Sequence, residues 1–286
     1  MTVKRRLTGW WWAILLVTML LAGCAASPAK TSQPPFEEMR SGRRVGFAEM
    51  MGDVRRARLI FVGELHDNQE HHRLQLEMIK ALQASGSRLA IGLEMFRAES
   101  QPALDRWVAG DMDLLEFMAI YRDNWTIPWE AYNEILLYAR NNRIPLVALN
   151  APREIMQKVY RQGFGSLTPE ELRGLPPDVT CRVDKPYMDF VRRSFVWHSA
   201  DDAMLRYFCE AQLLRNKVMA DRLNAYLRKE PARQMIVVTG VGHAMRWGVP
   251  DEFAELARVE MRIVIPRLSE ATAESLRKDD ADYVMR

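Results

Sequence analysis

The sequence predicts an α/β protein: a mostly parallel sheet covered by helices on both faces, with a smaller helical lobe. The first observation is a set of four apolar runs that lack polar alternation. Such runs are typical of strands buried on both faces, as in a parallel sheet between helices. The second observation is that segments with helical spacing separate the runs, which favours right-handed crossovers between parallel strands. The runs are residues 58–62, 89–93, 145–149 and 235–239.

The first predicted strand turns directly into a helix. Asp67 and Glu70, three residues apart, resemble a capping box, and the apolar residues that follow are spaced as in a helix. This places His71 and His72 in the first turn of that helix. Its free amides and its dipole favour an anion, such as a carboxylate, at this end.

Predicted helices, loops and strands also follow one another along the rest of the chain. Consecutive helices are predicted for residues 99–141, with an interruption at Pro128. Residues 163–177 are rich in Gly and Pro and predict a loop with one short helical turn. Residues 178–200 are rich in aromatic side chains and predict a helical lobe. The remaining predicted elements are a helix at about 152–162, a turn at 169–173, a long helix at about 202–228, a short helix from Pro250 and a strand at 261–265.

The N-terminus has the features of a bacterial lipoprotein signal. Three basic residues precede an apolar run from Trp10 to Leu21, which is short for a hydrocarbon core of about 30 Å. The run closes in Leu-Ala-Gly-Cys, which resembles a lipobox and implies cleavage of residues 1–23 and acylation of Cys24, with palmitate among the expected chains. An uncleaved membrane anchor is the alternative. Ala25 after the cysteine implies the outer membrane, facing the periplasm.

The chain is predicted to have three parts after the signal peptide. Residues 24–42 lack apolar periodicity and predict a lipid-anchored linker. Residues 43–267 are predicted to form the α/β domain, with the helical lobe at about 99–141 and 165–228. Residues 268–286 are charged and weakly patterned, so we expect a flexible tail.

The net charge indicates which partners to expect, and the cysteine content indicates whether a disulfide can form. The formal net charge is +3, and residues 1–23 carry three basic and no acidic groups, so the remainder is neutral and we expect no nucleic-acid partner. Cys181 and Cys209 are the cysteines besides Cys24. An oxidising envelope allows a disulfide between them, and a buried free thiol is the alternative.

Polar and ionisable residues follow all four predicted strands. Because ligands bind outside the carboxyl ends of parallel strands, these residues are expected to converge on one edge of the sheet. Carboxylate and imidazole groups suit a divalent transition metal, and they could equally serve as a general base or as hydrogen-bonding groups. The sequence therefore predicts a site, with metal binding as one interpretation. Its residues are Glu64, His66, Glu94, Asn150 and His243.

Structural roles for the same residues stay open. Glu64 and Glu94 could accept backbone N–H groups at the strand ends, and one or both of His71 and His72 could be solvated helix residues. His243 follows Gly-Val-Gly, and paired glycines allow close approach of backbone or ligand.

Seven short blocks of residues carry a family resemblance. They are Gly-Glu-Leu-His-Asp-Asn at 63–68, His71-His72, Gln75, Gly-Leu-Glu-Met-Phe at 92–96, Ala211-Gln212 with Met219-Ala220, Gly-Val-Gly-His at 240–243 and Gly-Val-Pro at 248–250. These blocks resemble the ChaN-like haem-uptake lipoproteins of the Tiki group. The resemblance covers roughly residues 45–265 and keeps the order of the blocks, and the lipobox before this range fits the family as well. Asn216 departs from the resemblance, since an acidic residue is expected there.

The resemblance implies a haem at the cell envelope, with a haem-linked homodimer and receptor or transporter components of haem uptake as partners. Haem needs an apolar slot, an axial ligand and cations for its propionates. No Cys-x-x-Cys-His occurs, so covalent attachment is excluded. Tyr187 and His198 are the expected axial ligands, with Lys185 and Arg192 near the propionates. Core packing is the alternative for this aromatic segment. His71 and His72 complete the set of candidate haem-binding residues.

The leading hypothesis is a lipid-anchored haem-binding protein, not an enzyme, that takes part in haem and iron uptake. The alternative is a metal-dependent hydrolase, in which Glu64, His66, Glu94 and His243 hold a metal or activate water. A third hypothesis is an envelope scaffold whose polar cluster only braces the sheet.

Overall fold

The structure is a computed structural model that describes residues 35–177, 179, 180, 183, 185–194 and 202–286. The predicted signal peptide, the predicted lipidation site Cys24, the candidate ligand His198 and Cys181 lie outside the described residues. Cys209 is buried and has a free thiol.

The described residues form one sheet of eight strands in the order β2-β1-β8-β7-β3-β6-β4-β5. The six strands from β8 to β5 run parallel, whereas β1 pairs antiparallel with both β2 and β8. The predicted mostly parallel α/β fold is confirmed. The strands are β1 (Phe36–Glu38), β2 (Arg43–Val45), β3 (Leu59–Glu64), β4 (Leu89–Arg97), β5 (Leu146–Asn150), β6 (Gln234–Gly240), β7 (Met261–Ile265) and β8 (Tyr283–Met285).

Helices connect the strands and cover the sheet. They are α1 (Phe47–Val54), α2 (Gln69–Ala84), α3 (Gln101–Ala109), α4 (Leu114–Asn124), α5 (Trp129–Asn141), α6 (Arg153–Gln162), α7 (Pro169–Arg173), α8 (Lys185–Ser194), α9 (Asp202–Lys229), α10 (Val241–Ala244), α11 (Val249–Leu256) and α12 (Glu270–Ser275). Among the described residues, no helix combines the length and the apolar character needed to cross a membrane.

The two faces of the sheet carry separate apolar cores, because successive strand residues point to opposite faces. Ile60 and Val62 pack with α1 to α5 on one face. Leu59 and Phe61 pack with α8 to α11 on the other face. Helices α3 to α5 therefore cover the sheet. This differs from the sequence prediction, which assigned residues 99–141 to a helical lobe. A smaller cluster joins α6 and α7 to α9.

Both predicted boundaries of the domain need correction. The linker predicted for residues 24–42 contains β1, and Phe36 is buried. The predicted flexible tail forms α12 and β8, and β8 lies between β1 and β7 in the sheet. Tyr283, Val284 and Met285 are all buried, so three apolar residues are enough to add this strand to the core.

The start of α2 also differs from the prediction. Asn68, and not Asp67, caps this helix, and its Oδ1 accepts from the backbone N–H of Glu70 at 2.9 Å. The chain therefore leaves β3 through a turn of four residues before α2 begins.

Candidate functional site: a cleft at the carboxyl edge of the sheet

The carboxyl ends of three neighbouring strands meet at one cleft of about 490 Å³. Strand β6 lies between β3 and β4, and Glu64 at the end of β3 is in register with Gly240 at the end of β6. Asn150, at the end of the outermost strand β5, accepts from its neighbour Ala151 and is not among the described lining residues. The lining residues are Glu64, Leu65, His66, Asp67, Glu94, Ile127, Phe208, Gln212, Arg215, Gly240, Val241, Gly242 and His243.

Glu64 is a buried carboxylate that holds His66 in place. Its Oε1 accepts from His66 Nδ1 at 2.7 Å and from the hydroxyl of Tyr132. Its Oε2 accepts from Gln75 Nε2 at 2.8 Å. Because the hydrogen of neutral His66 is on Nδ1, towards Glu64, its Nε2 has the lone pair. The imidazole is also fixed by an edge contact with Trp125, with ring centroids 5.0 Å apart.

Glu94 forms the second buried acidic position. Its Oε2 accepts from the Thr239 hydroxyl at 2.6 Å and from the backbone N–H of Gly240 at 2.8 Å. Its Oε1 lies 3.7 Å from a guanidinium nitrogen of Arg215 and 3.7 Å from His243 Nε2, and it accepts no hydrogen bond from the described residues. Glu94 therefore has one satisfied oxygen and one that faces positive groups in the cleft.

His243 is oriented by a neighbour on α9. Its Nδ1 donates to Asn216 Oδ1 at 2.6 Å, because an amide oxygen can only accept. The amide of Asn216 in turn donates to the Tyr187 hydroxyl at 3.3 Å. Asn216, the residue that departs from the expected acidic position, thus joins His243 to the helix that carries Tyr187.

The charges of these groups follow from burial and from their neighbours. Burial raises the pKa of Glu94, but the positive charges of His243, His66 and Arg215 and the bond from Thr239 outweigh it and lower that pKa to about 2. Burial lowers the pKa of His243 to about 4. At neutral pH His243 is therefore uncharged, and the guanidinium of Arg215 supplies positive charge beside Glu94.

His66 shifts in the opposite direction. Burial alone would lower its pKa, but the hydrogen bond to Glu64 and the charges of Glu94 and Glu64 outweigh burial, so the pKa of His66 lies above its ordinary value. The polar floor of the cleft consists of Glu64, His66, Glu94 and His243. It thus contains one imidazole with a lowered pKa, His243, and one with a raised pKa, His66.

The walls of the cleft are largely apolar. Leu65, Ile127, Phe208 and Val241 line it beside the polar floor. Leu65 is 41% exposed, so it offers apolar surface to a ligand in the cleft. A concave site with apolar walls and a few oriented polar groups is typical of a site for an organic cofactor.

Sequence reasoning missed two contributors to the floor of the cleft, Arg215 on α9 and Tyr132 on α5. It noted Asn216 on α9 only as a departure from the resemblance. A signal for the α9 residues exists: Gln212, Arg215, Asn216 and Met219 follow the three- and four-residue spacing of one helix face. No comparable pattern identifies Tyr132, which reaches Glu64 from 68 residues away.

Two of the predicted haem-binding residues of the helical lobe, Tyr187 and Arg192, do not line the cleft. Tyr187 is buried in α8 among the apolar core of one face, and Arg192 on the same helix is exposed. Neither is among the described residues that line the cleft. Lys185 begins α8. Their roles towards a haem stay predictions.

The expectation that one or both of His71 and His72 are solvated is wrong, since both are buried. His71 accepts from the backbone N–H of Leu65 at 2.9 Å and its Nε2 lies 2.9 Å from the carbonyl of Arg267. These contacts join β3, α2 and the segment after β7, and neither histidine lines the cleft.

The metal interpretation has limited geometric support. Glu64, His66, Glu94 and His243 do line one cleft. Within the described ranges, however, no group of three or more His, Cys, Asp or Glu side chains is arranged to hold a metal ion.

Comparisons with known proteins agree with the fold. The chain is similar to ChaN of Campylobacter jejuni, solved with cofacially bound haem, with a TM-score of 0.71, 17% identity and coverage of 89% of this chain and 96% of that one. An erythromycin esterase mutant in its open conformation matches with a TM-score of 0.51, 10% identity and coverage of 82% and 76%. At these identities the likeness shows the fold alone.

A curated relative matches this chain over part of its length. The chloroplastic protein RETICULATA-RELATED 5 of Arabidopsis thaliana is 26% identical over 145 residues, which are 48% of this chain and 20% of that protein. The match thus spans about a fifth of the relative's length.

The family model for haem-binding uptake proteins of the Tiki superfamily, ChaN, matches residues 50–253, which contain every lining residue of the cleft. This match covers most of the chain. The chain therefore belongs to the ChaN family of haem-binding uptake proteins in the Tiki superfamily.

Proposed function

We propose that this protein binds haem in the cleft at the carboxyl edge of the sheet and takes part in haem and iron uptake at the cell envelope. Family membership and the haem-bound ChaN structure support the ligand. The observation that carries the proposal is the pairing of Glu64 with His66 at the floor of a cleft with apolar walls.

His66 has the arrangement expected of an iron ligand. A carboxylate that accepts from one imidazole nitrogen fixes the ring and makes the other nitrogen a better ligand. Glu64 does this at Nδ1, and the His66 side chain is 36% exposed, compared with 6% for His243. Bound iron would act as a Lewis acid at this position, and the protein supplies the orientation of the ligand.

The remaining requirements of a haem are met by neighbouring residues. Leu65, Ile127 and Phe208 provide apolar contact area. Arg215 lines the same cleft, is 25% exposed, and offers a guanidinium for a propionate. Gln212 adds an amide on the same helix. Tyr187 reaches this floor through Asn216, so we place it behind the site.

The cellular setting of the proposal rests on the sequence. The lipobox-like Leu-Ala-Gly-Cys segment supports a lipid anchor at Cys24, and Ala25 supports the outer membrane. A haem held between two copies of the chain and transfer to receptor or transporter components belong to the same proposal. The cofacial haem of Campylobacter jejuni ChaN supports the first of these.

A hemin titration tests the proposal. The purified protein should develop a Soret band that saturates at a fixed ratio of hemin to chain, and sedimentation should show whether saturation changes the oligomeric state. Because a proton competes with iron for His66 Nε2, hemin affinity should rise with pH above about 6.5, the ordinary pKa of histidine. Absence of a saturable Soret band, or an affinity that falls over this range, would contradict the proposal.

A further inference from the structure

Gln75 is a fully buried polar side chain on α2, one turn of the helix after His72. It is not among the described residues that line the cleft. Its Nε2 donates to Glu64 Oε2 at 2.8 Å and to the backbone carbonyl of Val62 at 3.3 Å, so both amide hydrogens are used. The reversed amide would bring its oxygen against these two acceptors. The hydrogen bonds therefore fix the orientation of the Gln75 side chain.

Glu64 lies between two imidazoles and accepts a hydrogen bond from only one of them. His66 Nδ1 lies 2.7 Å from Oε1, whereas His72 Nε2 lies 3.6 Å from Oε2, which is too long for a hydrogen bond. In the part of the chain that the structure describes, neither ring nitrogen of His72 has a partner. His72 is nevertheless buried and packs on the ring of Tyr132, with centroids 4.3 Å apart. A second imidazole thus lies beside the carboxylate without bonding to it.

The Gln75 amide separates His72 from the carboxylate. Oε2 of Glu64 is the oxygen that faces His72, and this oxygen already accepts from the amide. Because the same amide is bonded to the carbonyl of Val62 on β3, it holds the carboxylate in place at the end of that strand. Glu64 is therefore kept beyond hydrogen-bonding distance of His72, with Oε1 directed to His66.

We propose that Gln75 positions the Glu64 carboxylate on His66 and so withholds it from the second imidazole. His66 then keeps its proton on Nδ1 and the lone pair on Nε2. Without the amide, the carboxylate can rotate and accept from His72 Nε2, which leaves the tautomer of His66 unfixed. This positioning is a property of the haem-free protein. Its consequence for haem rests on the proposed role of His66 as the iron ligand.

NMR of nitrogen-labelled histidine rings in the haem-free protein tests this positioning, at a pH at which the rings are neutral. Gln75→Met keeps the length of the side chain and removes both donors. The Nδ1 proton of His66 should then be lost in part, and a hydrogen-bonded Nε2 proton should appear on His72. Gln83→Met is the matched control, because Gln83 lies on the same helix, donates to Asn142 and does not line the cleft.

A double variant separates positioning from a merely structural role. Gln75→Met/His72→Phe removes the competing imidazole, so the Nδ1 proton of His66 should return. A packing defect caused by Gln75→Met would not be repaired by a second change in the core. If His66 is the iron ligand, hemin affinity should fall by about tenfold in Gln75→Met and recover in the double variant.

The inference is overturned if the His66 ring signals of Gln75→Met equal those of the unmodified protein, or if they stay altered in the double variant. If Gln75→Met fails to fold, the unmodified protein decides: an Nδ1 proton on His66 supports the positioning, and a carboxylate-bonded Nε2 proton on His72 contradicts it. Unchanged ring signals with intact hemin binding reject this inference alone. The expected ring signals without a Soret band reject the haem proposal alone.

Discussion

The carboxyl edge of the sheet and helix α8 both contain residues suited to a haem, but they hold those residues differently. At the edge, Glu64 receives hydrogen bonds from His66, Tyr132 and Gln75, and Glu94 receives two more. On α8, Tyr187 is buried in the core and contacts the edge through Asn216. The comparison shows that several hydrogen bonds fix the side chains at the edge, whereas α8 reaches them only through Asn216.

The largest effect on stability is expected at Glu94. Glu94→Ala leaves Arg215 without its buried partner and removes the acceptor for Thr239 and for the backbone of Gly240. Removing one partner of a buried pair costs about 3–5 kcal/mol, and urea unfolding should show a loss near 4 kcal/mol. Glu99→Ala is the control, because Glu99 is 53% exposed and pairs with Arg97 at the surface. A loss below about 1 kcal/mol in Glu94→Ala, as for a surface pair, would mean that the edge is not preorganised.

A somewhat smaller loss of folding stability is expected when the pH is lowered. The pKa of His243 falls from 6.5 to about 4 on folding, so the unfolded chain takes up the proton first. The stability that neutral, buried His243 contributes to the fold is fully present above pH 6.5 and is lost as the pH falls to about 4. The loss should be on the order of 3 kcal/mol in unfolding experiments across this range.

His66 and His243 have opposite effects on the pH dependence of stability, and the variant His243→Gln separates them. His66, whose pKa is raised, contributes stability below pH 6.5 that is lost at higher pH, so its effect has the opposite sign. His243→Gln should therefore flatten the slope between pH 4 and 6.5. Equal slopes in this variant and in the unmodified protein would show that His243 is not buried in its neutral form.

The smallest effect is expected on α8. Tyr187→Phe removes the acceptor of the Asn216 amide and should cost about 1 kcal/mol in thermal or urea unfolding. Tyr160→Phe is the control, because Tyr160 is 47% exposed. If the edge holds the iron, the Tyr187→Phe complex with hemin should keep the charge-transfer bands of the unmodified protein. Altered bands would make Tyr187 the axial ligand and reverse the comparison.

The edge was predictable from sequence because two regular features fix it. Glu64 ends β3 and His66 follows it in the next turn, and parallel pairing brings Glu94 and His243 to the same end of the sheet. The distance between these residues along the chain does not matter, because the sheet aligns their strands.

Other features of the cleft and of the fold depend on tertiary packing, which local sequence patterns do not predict. The rotation of α9 about its axis decides that Arg215 and Asn216 face the sheet, and helical spacing alone leaves this rotation open. His71 looks like a solvated helix residue in sequence, yet it accepts from a backbone N–H of the preceding turn. β8 was missed because a strand of three residues has too little pattern to detect.

The most direct test of the central claim compares hemin binding by His66→Gln at the edge with hemin binding by His198→Gln, which changes the axial ligand that the sequence predicted in a helical lobe. Because His66 is the proposed iron ligand, His66→Gln should shift the Soret band and weaken hemin affinity by at least about tenfold, whereas His198→Gln should leave both unchanged. The opposite pattern, with binding lost in His198→Gln and retained in His66→Gln, would place the haem in the lobe and contradict the account.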